Sequence, residues 1–349
     1  MKTIVEKVDE NQIETEKIRS AARIIREGGL VAFPTETVYG LGADALNPEA
    51  SKRIYAAKGR PSDNPLIVHI ADFESLEKIT TGIPERARLL GERFWPGPLT
   101  MIFEKNDLVP LETTGGLLTV AVRMPSHPIA LALIRESTGY IAAPSANTSG
   151  KPSPTLAEHV YLDMEGRIPM ILDGGPVGIG IESTIVDFSE DIPTILRPGY
   201  ITKEMIREVI GEIRMDPGLS GADQSVRPKA PGMKYRHYAP KAELILVKGQ
   251  ETEVVENINR LVKEAEEQGK RAGIIGTDET CGKYGDGIVK SIGTRKNEET
   301  IAQHLYAILR EFDELNVDII YSESFSTAGI GQAIMNRMLK AAGHRVLEV

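Results

Sequence analysis

The stretch from Phe33 to Ile70, FPTETVYGLGADALNPEASKRIYAAKGRPSDNPLIVHI, constrains this chain more than any other. An apolar run, Leu30 to Phe33, stops at Pro34 and the hydroxyl-rich turn Thr35-Glu36-Thr37. A short helical segment follows, then the polar run Lys58-Gly59-Arg60-Pro61-Ser62-Asp63-Asn64-Pro65. A second apolar run, Leu66 to Ile70, closes the stretch. Two strands around a helix make a compact α/β unit whose polar loops fall at strand ends, where open α/β sheets collect ligands. Lys58 and Arg60 flank a glycine, so two cations can approach one anion with no bulky residue between them. Ser62 and Asn64 add neutral donors. This is phosphate-site chemistry, although the spacing is not that of a Walker A loop. The competing reading is a pair of solvated surface cations.

The 349 residues suggest about two domains. The net charge of −9 argues against a global electrostatic grip on nucleic acid or an acidic membrane, but leaves room for a local basic cleft. Cys281 is the single cysteine, so intrachain disulfides and multi-cysteine metal clusters are excluded; a reducing, cytoplasmic setting is expected. The N-terminal segment lacks the apolar region of a signal peptide, and no apolar run approaches the roughly 20 residues that span a bilayer. The histidines show no paired metal-ligand spacing.

Along the chain, residues 14–27 have helical periodicity, with Ile18, Ala21, Ala22 and Ile25 on one stripe. Asn47-Pro48 reads as an N-cap followed by proline at the first helical position. Pro84 and Pro128 open further helices, and Thr202–Ile210 forms another. Apolar runs at 30–33, 66–70, 99–104, 118–123, 140–143, 170–172, 183–188 and 194–196 read as strands. From Gly211 to about Pro240, prolines and glycines break any regular element, and Arg214, Arg227, Lys229, Lys234, Arg236 and Lys241 make the segment locally basic. Beyond it strands and helices alternate, as in a small doubly wound α/β domain. Gly329-Ile330-Gly331-Gln332-Ala333-Ile334 superficially suggests dinucleotide binding, but isoleucine stands where the third glycine belongs; packing at a helix start is the bland alternative.

Other polar residues interrupt apolar strands or follow them. Ser145 and Asn147 in Pro-Ser-Ala-Asn form either a site at a strand end or the cap of the next helix. His69 within an apolar strand is either a hydrogen-bonded core residue or a ligand contact. Arg123 ends an apolar strand and, if buried, requires an anionic partner, either an internal carboxylate or a substrate one. Arg197 follows a strand in the same way. No Ser-His-Asp order and no glycosidase-like carboxylate pair stands out. The polar candidates are cations, hydroxyls and amides, which suits binding a polyanion and stabilising its charge.

Five segments together resemble the YrdC-type L-threonylcarbamoyladenylate synthases: Pro-Thr-Glu-Thr-Val-Tyr-Gly-Leu-Gly, Lys-Gly-Arg-Pro-Ser-Asp-Asn-Pro-Leu, Pro-Ser-Ala-Asn, Glu-Ser-Thr-Ile-Val-Asp and Leu-Arg-Pro-Gly. The Pro-Gly-Met-Lys-Tyr-Arg-His-Tyr-Ala-Pro segment and the α/β tail resemble the long, two-domain form. The resemblance implies an α/β YrdC-like twisted mixed sheet with helices around a concave cavity over residues 1–210. It implies a basic Pro/Gly-rich linker over 211–241, a lid if Tyr238 reaches the nucleotide, and a smaller Rossmann-like α/β domain over 242–349. The family reaction joins L-threonine, bicarbonate or CO2, and ATP, releasing pyrophosphate. A downstream transferase complex then carries the threonylcarbamoyl group to tRNA, so transient tRNA contact is also implied. Carried over by motif, Thr37, His69, Arg123, Ala143 and Ser183 contact threonine. Arg60, Asn64, Thr119, Ser145, Ser153, Arg197 and Tyr238 contact ATP, Lys58 lies beside the phosphates with Arg60, and Mg²⁺ is held mainly by those phosphates. No residue offers itself as a general base.

Two rival readings remain at this level. One is an RNA-binding module without catalysis, supported by the cation-lined loops and basic linker and opposed by the acidic total charge and scarce aromatics. The other is carbamoyl transfer, as in related domains of hydrogenase maturation proteins, for which accessory zinc-finger and acylphosphatase segments are expected; the single cysteine excludes a four-cysteine finger.

Overall fold

The computed structural model describes residues 1–219, 229–230 and 237–349. Much of the segment read as a lid lies outside these residues. The described residues form two compact units. One spans Met1–Ser149, Ser153–Gly178 and Glu182–Tyr235; the other takes in Gly150–Pro152, Ile179–Ile181 and Arg236–Val349.

The first unit begins with β1 (Ile4–Lys7), α1 (Thr15–Arg26), β2 (Val31–Phe33), β3 (Gly40–Asp44), α2 (Pro48–Lys58), β4 (Ile67–His69), α3 (Phe73–Ile79) and α4 (Glu85–Phe94). It continues with β5 (Leu99–Glu104), β6 (Thr119–Arg123), α5 (Pro128–Glu136), β7 (Ile141–Ala142), α6 (Ala157–Met164), β8 (Met170–Asp173), β9 (Thr184–Asp187), β10 (Thr194–Arg197), α7 (Lys203–Ile210) and β11 (Arg214–Met215). Among the described residues the strands join into one mixed sheet, ordered β1-β8-β2-β3-β7-β4-β6-β5-β9-β10-β11. The mixed sheet with helices is the architecture that the resemblance implied.

The helix expected after Asn47 forms as the sequence reads. The Asn47 side chain accepts hydrogen bonds from the amides of Glu49 and Ala50, and Gly59 ends the helix at φ 61°, a left-handed turn that favours glycine. Strand β3 was not expected: its two glycines weaken the apolar alternation of a strand. Glycine is required there by close packing: a Cβ on Gly42 would lie 2.8 Å from both the Phe33 ring and the Ile141 side chain. Strand β1 also escaped the reading, because its exposed Ile4 and Val5 lack the pattern of a buried strand. Helices α3 and α6 were likewise unexpected.

Strand register explains how one sheet serves both core and site. His69 on β4 pairs with Arg123 on β6, Arg123 with Thr100 on β5, and Thr100 with Ile185 on β9. Side chains alternate along a strand, so the residues between them, Val68, Val122, Met101 and Val186, turn to the opposite face. There they are buried in the main core with Leu90 and Ile206. A second core joins the Ile18, Ala21, Ala22 and Ile25 stripe of α1 to Ile129, Leu133 and Ile134 of α5.

The second unit contains β12 (Glu243–Lys248), α8 (Glu251–Glu267), β13 (Ala272–Gly276), β14 (Ile288–Ser291), α9 (Glu298–Glu314), β15 (Ile319–Glu323), α10 (Ile330–Ala341) and β16 (Val346–Glu348). Its sheet is parallel throughout, in the order β14-β13-β15-β12-β16. Parallel pairing with helical crossovers is the doubly wound arrangement the alternating pattern suggested, and the Rossmann-like one the resemblance implied. At the Gly-Ile-Gly start of α10, a Cβ on Gly331 would lie 2.5 Å from the Ser326 carbonyl oxygen, which is the packing role weighed above. Among the described residues, no helix is long and apolar enough to cross a membrane.

Removal of the α2 cap is expected to be measurable. Asn47→Ala should lower unfolding stability by about 1 kcal/mol and Asn47→Asp by much less, as read by urea denaturation.

Candidate active site

Three adjacent strands aim their functional side chains at one point. At the end of β6, the Arg123 guanidinium is almost fully buried. Its Nη1 donates to the Thr37 hydroxyl at 2.9 Å, and Thr37 Oγ1 lies 2.9 Å from Thr35 Oγ1. Its Nη2 stands 2.8 Å from Glu36 Oε1, so the Pro-Thr-Glu-Thr turn wraps the guanidinium with two consecutive residues. The anionic partner that a buried Arg123 requires is therefore internal. The sequence signal for Glu36 is an acid between two threonines just after a buried strand, a pattern to which local rules assign no role.

The geometry of that ion pair is incomplete. Neither Arg123 Nε nor Nη2 makes a hydrogen bond among the described residues, and neither Glu36 oxygen has a hydrogen-bond partner. Nε and Nη2 form the side-on edge of the guanidinium, the edge that takes a carboxylate in a two-point fork. Burial pushes the Glu36 carboxyl up, but the neighbouring Arg123 guanidinium outweighs it and holds the group below the ordinary carboxylate range. His69 sits on the neighbouring strand, with its Nδ1 3.1 Å from the Ile67 carbonyl oxygen. Burial, and then the positive charge of Arg123, push its imidazole down to about 3, so it is neutral near pH 7.

The remaining residues matched to threonine lie on the same strands or beside them. Ala143 follows β7 and donates its amide to the Ile67 carbonyl at 2.8 Å. The Ser183 hydroxyl is 2.8 Å from that of Thr100, the cross-strand partner of Arg123. Thr37, His69, Arg123, Ala143 and Ser183 thus belong to one connected patch.

The residues matched to ATP divide into groups. Arg197 donates Nε to the Ser183 carbonyl at 3.0 Å and Nη2 to the Ser183 hydroxyl at 3.1 Å, which links it to the patch. The Ser153 hydroxyl donates to Glu182 at 2.6 Å, one residue before Ser183. Arg60 folds its own loop, donating to the carbonyls of Asn64 and Pro65 at 3.2 and 3.1 Å. Asn64 is buried, and its side-chain oxygen has no hydrogen-bond partner among the described residues. Lys58, buried at the end of α2, donates to the carbonyls of Ser145 and Asn147 and so pins the Pro-Ser-Ala-Asn loop beside the Lys-Gly-Arg loop. Thr119 shares a face of β6 with Arg123 but stands at the other end of the strand. Tyr238 belongs to the second unit, where its ring lies 5.5 Å from that of His237 and 5.3 Å from that of Tyr306.

Linker residues also reach this face of the first unit. Ala230 is fully buried with Ile67, Ile102, Ala121, Ile185 and Leu196. Lys229 pairs with the buried Asp187 at 3.2 Å and also contacts Glu190. No group of three or more His, Cys, Asp or Glu among the described residues could hold a metal ion.

This fold and patch have counterparts among known proteins. Residues 23–199 match the Sua5, YciO and YrdC family model, described as telomere recombination. Residues 201–343 match the threonylcarbamoyl-AMP synthase C-terminal domain. The chain is 56% identical to a threonylcarbamoyl-AMP synthase of Bacillus subtilis, over 98% of each chain. It is 53% identical to one from Pyrococcus abyssi, over 99% of this chain and 100% of that one. The crystal structure of P. abyssi Sua5 complexed with L-threonine superposes with a TM-score of 0.94 at 52% identity, covering 99% of each chain. The molecule is thus a two-domain α/β enzyme of the nucleotidyltransferase type. It belongs to the threonylcarbamoyl-AMP synthase family.

The depressed His69 imidazole makes stability depend on pH. Between its ordinary value near 6.5 and about 3, the unfolded chain binds a proton that the native site refuses. Stability should therefore drop as the pH is lowered through that window, and His69→Gln should flatten this drop, as measured by urea denaturation at pH 7, 5.5 and 4.5.

Proposed function

We propose that this enzyme condenses L-threonine, CO2 or bicarbonate, and ATP into L-threonylcarbamoyladenylate with release of pyrophosphate. The observation that carries the reading is the side-on edge of Arg123, buried and without hydrogen bonds, beside the hydroxyl of Thr37. A small amino acid fits such a site: its carboxylate takes the guanidinium fork, and the hydroxyls of Thr37 and Ser183 suit a polar side chain. The threonine complex of the P. abyssi relative supports the same assignment.

In this reading the amine of threonine captures CO2 or bicarbonate to give an N-carboxy group. The new carboxylate then attacks the α-phosphorus of ATP, a P–O bond forms, and the bond to pyrophosphate breaks. Arg60 and Arg197 offset the charge of the nucleotide, and Asn64, Ser145, Ser153 and Thr119 position it. Lys58 acts by holding the Ser145–Asn147 backbone in place. Both steps need alignment and charge stabilisation rather than a covalent enzyme intermediate. Any Mg²⁺ arrives with the phosphates, which supply most of its ligands. Transfer of the product to tRNA by a partner enzyme, transient tRNA contact and a cytoplasmic setting belong to the same reading.

Pyrophosphate release measured with ATP, Mg²⁺, bicarbonate and single amino acids tests it. Release should require threonine and bicarbonate together; amino acid-independent release overturns the assignment. Arg123→Lys keeps the charge but loses the fork, and should raise the threonine KM on the order of 10–100-fold while leaving the ATP KM nearly unchanged.

A further inference from the structure

The reaction proposed above requires a proton acceptor. Threonine arrives as a zwitterion, and its ammonium nitrogen has no lone pair with which to attack CO2. Resting on that reading of the site, we propose that Glu36 is the acceptor, released for the task when the substrate carboxylate takes over the Arg123 guanidinium.

The geometry carries the assignment. Glu36 is 2.8 Å from Arg123 Nη2, yet neither of its buried oxygens is hydrogen bonded. The Nε–Nη2 edge of Arg123 is equally unsatisfied. A buried charge pair in close contact but without an aligned hydrogen bond can exchange partners, because each member gains hydrogen bonds by doing so. A carboxylate placed on that edge brings a second anion to the cation Glu36 already uses. The ammonium group, one carbon away from that carboxylate, supplies the second cation. It therefore comes to the side of the guanidinium where Glu36 stands.

The neighbouring groups do not compete for the proton. Arg123 is permanently charged. His69 is neutral but pushed down to about 3, so it accepts a proton poorly. His127, beyond Ser126, is lowered by burial against the opposing charges of Glu10 and Glu36. Its Nδ1 accepts from the Ile129 amide, and its Nε2 lies 3.5 Å from Glu10. Glu36 itself is shaped by two opposed influences, burial pushing its carboxyl up and Arg123 holding it down. Once the substrate carboxylate shares Arg123, burial gains ground and the carboxyl rises toward values at which it can hold a proton.

The step balances. A proton passes from the ammonium nitrogen to a Glu36 oxygen, leaving a lone pair on nitrogen. That pair forms the N–C bond to CO2, and one C=O π pair moves onto oxygen. The second N–H proton leaves to water, and the product is N-carboxythreonine. Nothing is oxidised or reduced.

The test uses the full chain with Glu36→Gln and Glu36→Asp. Threonine affinity is read by calorimetry, and kcat by threonine-dependent pyrophosphate release from pH 6 to 9.5. Glu36→Gln should lower kcat by about 100-fold or more near pH 7 while still binding threonine. Its deficit should shrink as rising pH supplies free amine, and the acid limb of the wild-type profile should vanish. Glu36→Asp should keep kcat within about tenfold of wild type with a displaced acid limb. If Glu36→Gln does not fold, Glu36→Asp carries the test, and an acid limb superimposable on wild type overturns the inference. Undiminished kcat in a folded Glu36→Gln variant overturns it as well, leaving Glu36 as a counter-ion alone. Wild-type protein that releases no pyrophosphate with threonine overturns the functional reading and this inference together.

Discussion

A buried guanidinium at the end of an internal strand is the constraint around which the first unit is arranged. Arg123 contacts Thr37 and Glu36, and its strand is flanked by β4 with His69 on one side and by β5 with Thr100 on the other. Burying a cation there is tolerable only with an anion nearby, and Glu36 supplies it. The supply is imperfect as a structural ion pair, because hydrogen bonds are left unmade on both partners. A salt bridge built only to hold the fold tends to satisfy its own donors, whereas here Arg123 Nε and Nη2 make no hydrogen bond among the described residues.

The surrounding sheet makes the arrangement affordable in structural terms. Alternation along β4, β5, β6 and β9 sends Val68, Met101, Val122 and Val186 into the core and leaves His69, Thr100 and Arg123 on the other face. A one-residue slip would exchange the two sets. Loops then fix the rest. Lys58 at the end of α2 clamps the Ser145–Asn147 backbone, and Arg60 closes its own loop on Asn64 and Pro65. Several cations that sequence reading offers to phosphates thus also hold the loops that a nucleotide would meet.

Much of the fold was legible. The α1 stripe, the Asn47 cap and the alternating tail each follow local rules of periodicity and capping, and each forms where those rules put it. The elements that escaped had weak local signals. Strand β3 has glycine at 42 because Phe33 of the adjacent strand and Ile141, far away in the chain, both pack against that position. Strand β1 is exposed along much of its length and is held by pairing with β8.

Several long motifs in a fixed order are enough to place the chain in its family, and with that comes the class of chemistry. The sequence by itself also showed that Arg123 needs an anion, because an arginine ending an apolar strand cannot be buried alone. Only the tertiary structure decided which anion that is. Glu36 and Arg123 are brought together by a turn after β2 and a strand end on β6, and no local propensity encodes a pairing across that separation.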